Sequence, residues 1–328
     1  MDRTSWKDSK FERTDKLLYL DHNECCDNVM VQHIDLFLKG LNSETLIKYP
    51  NLRKAYLSLN KLGFNPDITL LTSGAEDAIR VIIDLYKDME WLTKPSISFP
   101  DPTFGMLPVF AEIYDLTPIP VRYNDSFMYN VEELLKGDII YLAYPDNTTG
   151  TLLDIISLNR LLYSGKIIIL DETYYEFAGT STIELIDRFP NLYVVRSFSK
   201  AFGVAGIRIG MVVSNKRNIS KLINNKPAYE INSVACEYLD FIQNEDMLSS
   251  VNRVKDGKGL IEKELIRLGY KVKDTHANFV LVEYDSTLFN SITKFAQIKV
   301  IEISSKKYIR ITAPDRLTAE VLIKCLIQ

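Results

Sequence analysis

Between residues 68 and 213 the chain alternates short apolar, β-branched runs with longer amphipathic ones, and this alternation narrows the possible folds more than any other feature. Runs at 68–72, 96–99, 117–121, 138–143, 166–170 and 192–195 have the length and composition of buried strands, and 207–213 reads as one more. Helical patterns at 74–86, 103–113, 131–135, 155–163 and 183–188 separate most of them. Strands alternating with helices assemble into a mainly parallel sheet covered on both faces, so the expected class is α/β. After Val213 the texture changes. Long helical patterns run to about residue 268, two strands read at 277–283 and 308–312, and a last helix starts at Arg316. Residues 1–45 are polar apart from one apolar run at 17–20. The expected organisation is a large domain over 46–215 and a smaller, discontinuous α+β domain built from 1–45 and 216–328. A length of 328 residues suits two domains.

In an open parallel sheet, ligands collect at the carboxyl ends of the strands. Residues with chemical potential fall there in this chain. Gly74, Ala75 and Glu76 follow one strand, Phe104 another, Asn147 a third, Asp171 and Tyr174 a fourth, and Lys200 a fifth. Lys200 lies in Ser197-Phe-Ser-Lys-Ala-Phe-Gly-Val-Ala-Gly-Ile-Arg-Ile-Gly210, enclosed by small residues just past a strand, a poor place for a solubilising charge. A lysine so placed suits covalent attachment of an aldehyde cofactor, because burial lowers its pKa and frees the amine. If that cofactor is of the pyridoxal type, its ring nitrogen needs a carboxylate such as Asp171. Tyr174 or Asn147 would then serve the ring hydroxyl, and Phe104 would offer a stacking face. A phosphate would take the N–H groups of Gly74, Ala75 and Glu76, the hydroxyls of Ser197 and Ser199, and the Arg208 guanidinium. Taken singly, each residue has a plainer reading: Asp171 as a solvated strand end, Phe104 as core, Gly74 as a turn. Arg310, in an Ile-Arg-Ile strand, needs an anionic partner, either a ligand or an ion pair. The joint occurrence carries the functional reading.

Composition removes other classes. A formal net charge of -4 without a basic run argues against nucleic acid. The first residues lack an apolar signal core, and no stretch has the ~18 apolar residues of a membrane span, so a cytoplasmic protein is expected. The four cysteines have no paired spacing, and His22, Cys25 and Cys26 have no matching second half-site, so no metal is expected.

The motifs resemble those of the fold-type I, pyridoxal-phosphate-dependent aminotransferases, most closely the histidinol-phosphate aminotransferase group. The lysine stretch is similar almost residue for residue. Leu20-Asp-His-Asn-Glu24, Lys48-Tyr-Pro50, Thr72-Ser-Gly-Ala-Glu-Asp-Ala78, Asp171-Glu-Thr-Tyr-Tyr-Glu-Phe177, His276-Ala-Asn-Phe-Val280 and Ile309-Arg-Ile-Thr312 match further blocks in order. The resemblance implies pyridoxal 5′-phosphate as cofactor, with Lys200 as Schiff-base lysine and proton shuttle. It implies Asp171 at the ring nitrogen and Asn147 and Tyr174 at the ring hydroxyl. Arg310 would hold the substrate α-carboxylate, and Asn23 would line the substrate pocket. Tyr49 would reach the cofactor phosphate of a neighbouring subunit, which implies a homodimer. The small-molecule partners would be an amino donor and a carbonyl acceptor. A decarboxylase of a phosphorylated amino acid and a non-catalytic sensor share the same scaffold.

Two positions depart from the pattern. Asn147-Thr-Thr-Gly150 lacks the proline of the family's Asn-Pro-Thr-Gly turn, so the turn must be altered or held by other means. Near Ile301 the arginine that helps histidinol-phosphate enzymes bind the substrate phosphate is absent. Lys299, Lys306 and Lys307 are the nearby cations, and a substrate other than histidinol phosphate is expected.

Overall fold

The computed structural model describes residues 18–87 and 94–327. Residues 1–17, which the sequence reading groups with the smaller domain, lie outside the described residues. The strands are, in chain order, β1 (Leu18–Tyr19), β2 (Thr69–Thr72), β3 (Ser96–Asp101), β4 (Thr117–Arg122), β5 (Ile139–Ala143), β6 (Ile167–Asp171), β7 (Leu192–Ser197) and β8 (Gly210–Val213). They continue with β9 (Val272–Lys273), β10 (Phe279–Glu283), β11 (Ala296–Gln297), β12 (Lys299–Ile303) and β13 (Lys306–Thr312).

Seven strands form one sheet in the order β2-β8-β7-β6-β5-β3-β4. Pairings among β7, β6, β5, β3 and β4 are parallel, while β8 is antiparallel to both β7 and β2. It follows that β2 runs with the majority and β8 alone runs against it. The expected α/β class with a mainly parallel sheet is what forms. Both faces of the sheet are covered. On β5, Ile140 and Leu142 enter one apolar cluster while Ile139, Tyr141 and Ala143 enter another. A strand with two buried faces reads as an unbroken apolar run, so no polar–apolar alternation marks it.

The second sheet has the order β12-β13-β10-β9 and is antiparallel throughout. Its residues Phe279, Leu281 and Tyr308 join the cluster beneath the large sheet, and Val280, Val282, Ile309 and Ile311 pack against the helices on its other face. One sheet is therefore bolted to the other through shared side chains. The segment after β1 runs along β13, where the Thr312 N–H donates to the Leu20 carbonyl at 2.9 Å.

Three local expectations change. The predicted strand over 207–213 begins only at Gly210, because residues Ala205–Ile207 make a 3-10 turn and Arg208 adopts a left-handed conformation with φ of 63°. The stretch read as polar and largely featureless contains a helix, Asn28–Gly40. Its apolar residues fall on both faces: Met30 and Phe37 are buried, whereas Val29, Leu36 and Leu38 are exposed, which blurs the 3.6-residue period. Strand β12 went unread because it is an edge strand with only Ile303 buried. Among the described residues no helix is long and apolar enough to cross a membrane.

Candidate active site

Because β2, β3, β5, β6 and β7 run the same way, their carboxyl ends line one edge, and β8 starts from that edge. Asp171 ends β6, Ser197 ends β7, and Gly74 opens the helix Gly74–Tyr86 after β2.

Asp171 is buried and accepts hydrogen bonds from the Tyr141 hydroxyl at 2.9 Å, the Thr173 hydroxyl at 2.5 Å and the Thr173 N–H at 3.1 Å. Burial pushes its carboxyl above the ordinary value, and those donors together with the Lys200 charge pull it back. Lys200 is half-buried, its Nζ donates to the His22 carbonyl at 3.0 Å, and it lies 5.9 Å from the centre of the Tyr174 ring. Burial foremost, then the neighbouring Arg310 and Arg208 charges, bring its pKa down to about 8, against the opposing pull of Glu24 and Asp171. An appreciable share of the amine is thus unprotonated near neutral pH, as a nucleophile requires.

The next group forms an anion cradle. Gly74 has φ of 83°, and a Cβ there would lie 2.4 Å from Arg208 Nη2. A Cβ on Gly210 would lie 2.3 Å from the Gly74 carbonyl carbon. Both glycines are needed to bring the Arg208 guanidinium onto the first turn of the helix. Ser73, the N-cap residue of that helix, makes no side-chain capping bond to its N–H groups. Ala75 and Glu76 are half-buried in that turn. Ser197 and Ser199 are buried, and the Ser199 N–H donates to Ser197 Oγ at 3.1 Å. A helix N-terminus, a guanidinium and two hydroxyls make a phosphate-type site. A cavity of about 330 Å³ lined by Ser73, Glu76, Asp77, Arg80, Phe110 and Arg208 opens beside it.

The remaining residues come from further away. Tyr174 is buried, and its hydroxyl accepts from Asn23 Nδ2 at 3.0 Å. Asn23 itself has φ of 53°, and its own carbonyl accepts from Asn278 Nδ2 at 3.0 Å. Asn147 Oδ1 accepts from the Thr103 hydroxyl at 3.2 Å, one residue before the half-buried Phe104. Arg310 is 9% exposed, donating from Nη1 to the Asn147 carbonyl at 3.1 Å and from Nη2 to the Asp21 carbonyl at 3.1 Å. Its Nε is buried without a partner. Among the described residues no carboxylate lies within ion-pair reach of it. Of the two partners the sequence left open, the structure supplies no ion pair, and a buried guanidinium held by carbonyls alone suits an incoming anion.

Tyr49 stands apart from this constellation. It is 79% exposed and stacks on Tyr229, ring centres 4.7 Å apart. Near the missing arginine, the β12–β13 register sets Lys299 across from Arg310 and Ile301 across from Tyr308, so Lys299 shares the Arg310 face. Lys306 reaches Asp125 at 3.4 Å, and Lys307, one residue out of phase, belongs to the opposite face. Sequence reasoning missed Tyr141 and Thr173, the donors to Asp171, and the carbonyls of Asp21 and His22. A tyrosine inside the aliphatic run of β5 was the available sign of the first; backbone acceptors leave none.

The family model for aminotransferase class I and II matches residues 14–325. The chain belongs to that family. Histidinol-phosphate aminotransferase of Caldanaerobacter subterraneus subsp. tengcongensis is 32% identical over 230 residues, which cover 67% of this chain and 64% of that relative. The match thus spans slightly less than two thirds of that relative's own length. The enzyme of the same description from Pyrococcus furiosus is 27% identical over 320 residues, 94% of this chain and 91% of the relative. The fold matches a solved structure described as a putative histidinol-phosphate aminotransferase from Erwinia carotovora atroseptica, with a TM-score of 0.79, 19% identity, and coverage of 96% and 98% of the two chains. It also matches L-threonine-O-3-phosphate decarboxylase from Porphyromonas gingivalis, with a TM-score of 0.75, 19% identity, and coverage of 94% and 98%. The cofactor of the class I and II aminotransferases is pyridoxal 5′-phosphate, and the residues fit it. The glycine-cleared cradle suits its phosphate, the buried Asp171 its ring nitrogen, and the Lys200 amine its aldehyde.

Proposed function

We propose that the protein is a pyridoxal-phosphate-dependent aminotransferase moving an amino group between an amino-acid donor and a small keto or aldehyde acceptor. The carrying observation is that an amine with a pKa of about 8 and a buried carboxylate stand at the carboxyl edge of the large sheet, and that a buried guanidinium without a carboxylate partner reaches the Asn147 carbonyl beside them from β13 of the other sheet. When bound, the cofactor supplies an electron-withdrawing ring that stabilises negative charge at the substrate Cα. Lys200 Nζ would hold the cofactor through a covalent bond and, as a free amine, would serve as base and then acid for the substrate Cα proton. Asp171, held by Tyr141 and Thr173, would keep the ring nitrogen protonated. Tyr174 and Asn147 would serve the ring hydroxyl, Phe104 would offer the ring a stacking face, and Gly74, Ala75, Glu76, Ser197, Ser199 and Arg208 would bind the phosphate. Arg310 takes the substrate α-carboxylate, and Asn23 lines the pocket beside it through its bond to Tyr174.

The substrate we infer is not histidinol phosphate, since Ile301 stands where the phosphate-binding arginine is expected. Lys299, across from Arg310, supports a substrate with a second, distal anionic group. We also infer a homodimer in which Tyr49 reaches the partner's cofactor phosphate. Its exposure supports this, as do Leu46 and Ile47 beside it at 76% and 79% exposed.

The test is a half-reaction. Protein loaded with pyridoxal phosphate is mixed with L-glutamate and with a panel of phosphorylated amino donors, and cofactor absorbance, keto acid and carbon dioxide are followed. Conversion to the aminated cofactor with one equivalent of keto acid is expected. Release of carbon dioxide without keto acid would replace the proposal with the decarboxylase reading.

A further inference from the structure

Asp146 is a buried carboxylate that the proposed reaction does not use. It is 1% exposed. Its Oδ1 accepts from the Thr148 N–H at 2.9 Å, the Thr149 N–H at 2.7 Å and the Thr149 hydroxyl at 2.9 Å, and its Oδ2 accepts from the Tyr123 hydroxyl at 2.7 Å. All four donors are neutral. Burial pushes the carboxyl up and these donors draw it back, so the side chain resides at a cost that only a complete set of donors offsets. Its backbone closes the same turn: its N–H donates to the Thr151 carbonyl and its carbonyl accepts from the Gly150 N–H, both at 2.9 Å.

The residue wound into place by this turn is Asn147. Its carbonyl receives Arg310 Nη1 and its amide oxygen receives Thr103, so a shift of the turn moves both together. Thr148 supplies the tie. It has an N–H, which proline at this position would lack, and that N–H is one of the two that Asp146 binds, while its hydroxyl donates to the Pro102 carbonyl at 3.1 Å.

We propose that Asp146 is a positioning residue for recognition of the substrate carboxylate: with Thr148 it fixes by hydrogen bonds a turn that a proline ring would fix by restricting rotation, and so aims Arg310 through the Asn147 carbonyl. The catalytic consequence rests on the aminotransferase reading; the control of the turn does not.

The test compares the cofactor-loaded wild type with Asp146→Ala, Asp146→Asn and the double variant Asp146→Ala/Thr148→Pro, by steady-state kinetics and by deuterium exchange at the Thr148 and Thr149 amides, in the double variant at Thr149 alone. Asp146→Ala should speed exchange at both amides and raise KM for the amino donor about tenfold, with kcat changed less, as expected when a binding group is misaimed. Asp146→Asn keeps the Oδ1 acceptor and should recover most of the loss, and adding Thr148→Pro to Asp146→Ala should recover part of it. Unchanged exchange in Asp146→Ala, or in Tyr123→Phe/Asp146→Leu should the alanine variant fail to fold, would overturn control of the turn. Faster exchange with unchanged KM would overturn the link to Arg310. A wild type that takes up no pyridoxal phosphate would instead sink the aminotransferase reading, and the exchange result would still decide the role of Asp146.

Discussion

At the edge of the seven-stranded sheet, Asp171 and Ser197 sit on buried strand ends and Gly74 opens the helix after β2, whereas Arg310 stands on a four-stranded sheet beside β12, an edge strand that is mostly exposed. The two regions are also tied down differently. Asp171 is held by Thr173 and Ser197 by Ser199, each two residues away, and only Tyr141 comes from the neighbouring strand. Arg310 is held by carbonyls 163 and 289 positions away in the chain. Asp171 and Ser197 are thus held mainly by local motifs on a rigid scaffold, while Arg310 depends on distant segments meeting correctly. Such a division lets one sheet edge keep the chemistry while the other sheet varies its ligand.

The contrast can be broken by substitution. Lys200→Ala should lower kcat about 10⁴-fold in single-turnover assays, the upper range for loss of an acid–base group, and no choice of substrate should restore it. Asp171→Asn should cost about 10²–10³ in kcat with every donor, the scale of removing one electrostatic stabiliser. Arg310→Gln should act on the other region: KM for α-amino acids rises about 10–100-fold, the worth of hydrogen bonds to a charged group, while amines without a carboxylate are little affected. Lys299→Ala should raise KM at most about fivefold, and only for donors with a distal anion, since an exposed charge contributes little. A kcat effect of Arg310→Gln as large as that of Asp171→Asn would erase the distinction.

One prediction concerns stability in the cofactor-free protein. The Lys200 pKa falls from 10.5 to about 8 on folding, so between those values the unfolded chain binds more protons and stability from this group climbs with pH. Below about pH 8 the penalty is fully present. Lys200→Met should therefore raise Tm at pH 7 by about 2–4 °C, and the gap from wild type should close as pH rises towards 10.5. A gap that widened with pH would reverse the sign.

Much of this was legible because the large sheet announces itself through unbroken apolar runs, and because its residues of chemical interest follow those runs directly. Lys200, Asp171 and the Gly74 turn needed only the rule that strand ends meet. The left-handed Arg208 and the late start of β8 were not legible, because a guanidinium pressed on a glycine is a tertiary fact. The helix Asn28–Gly40 was hidden by apolar residues on its outer face, and β12 by its exposure. On the substrate side, Asn23 and Arg310 could be named, but not their partners, since a backbone carbonyl carries no residue signature.

Lys200 is the proposed covalent anchor, and borohydride trapping tests that role most directly. Protein incubated with pyridoxal phosphate is reduced, digested and mapped by mass spectrometry, with the visible spectrum recorded before reduction. The expected result is a yellow protein, one phosphopyridoxyl group per chain located on Lys200, and loss of both in Lys200→Ala. A colourless protein, or a label spread over surface lysines and unchanged in Lys200→Ala, would contradict it.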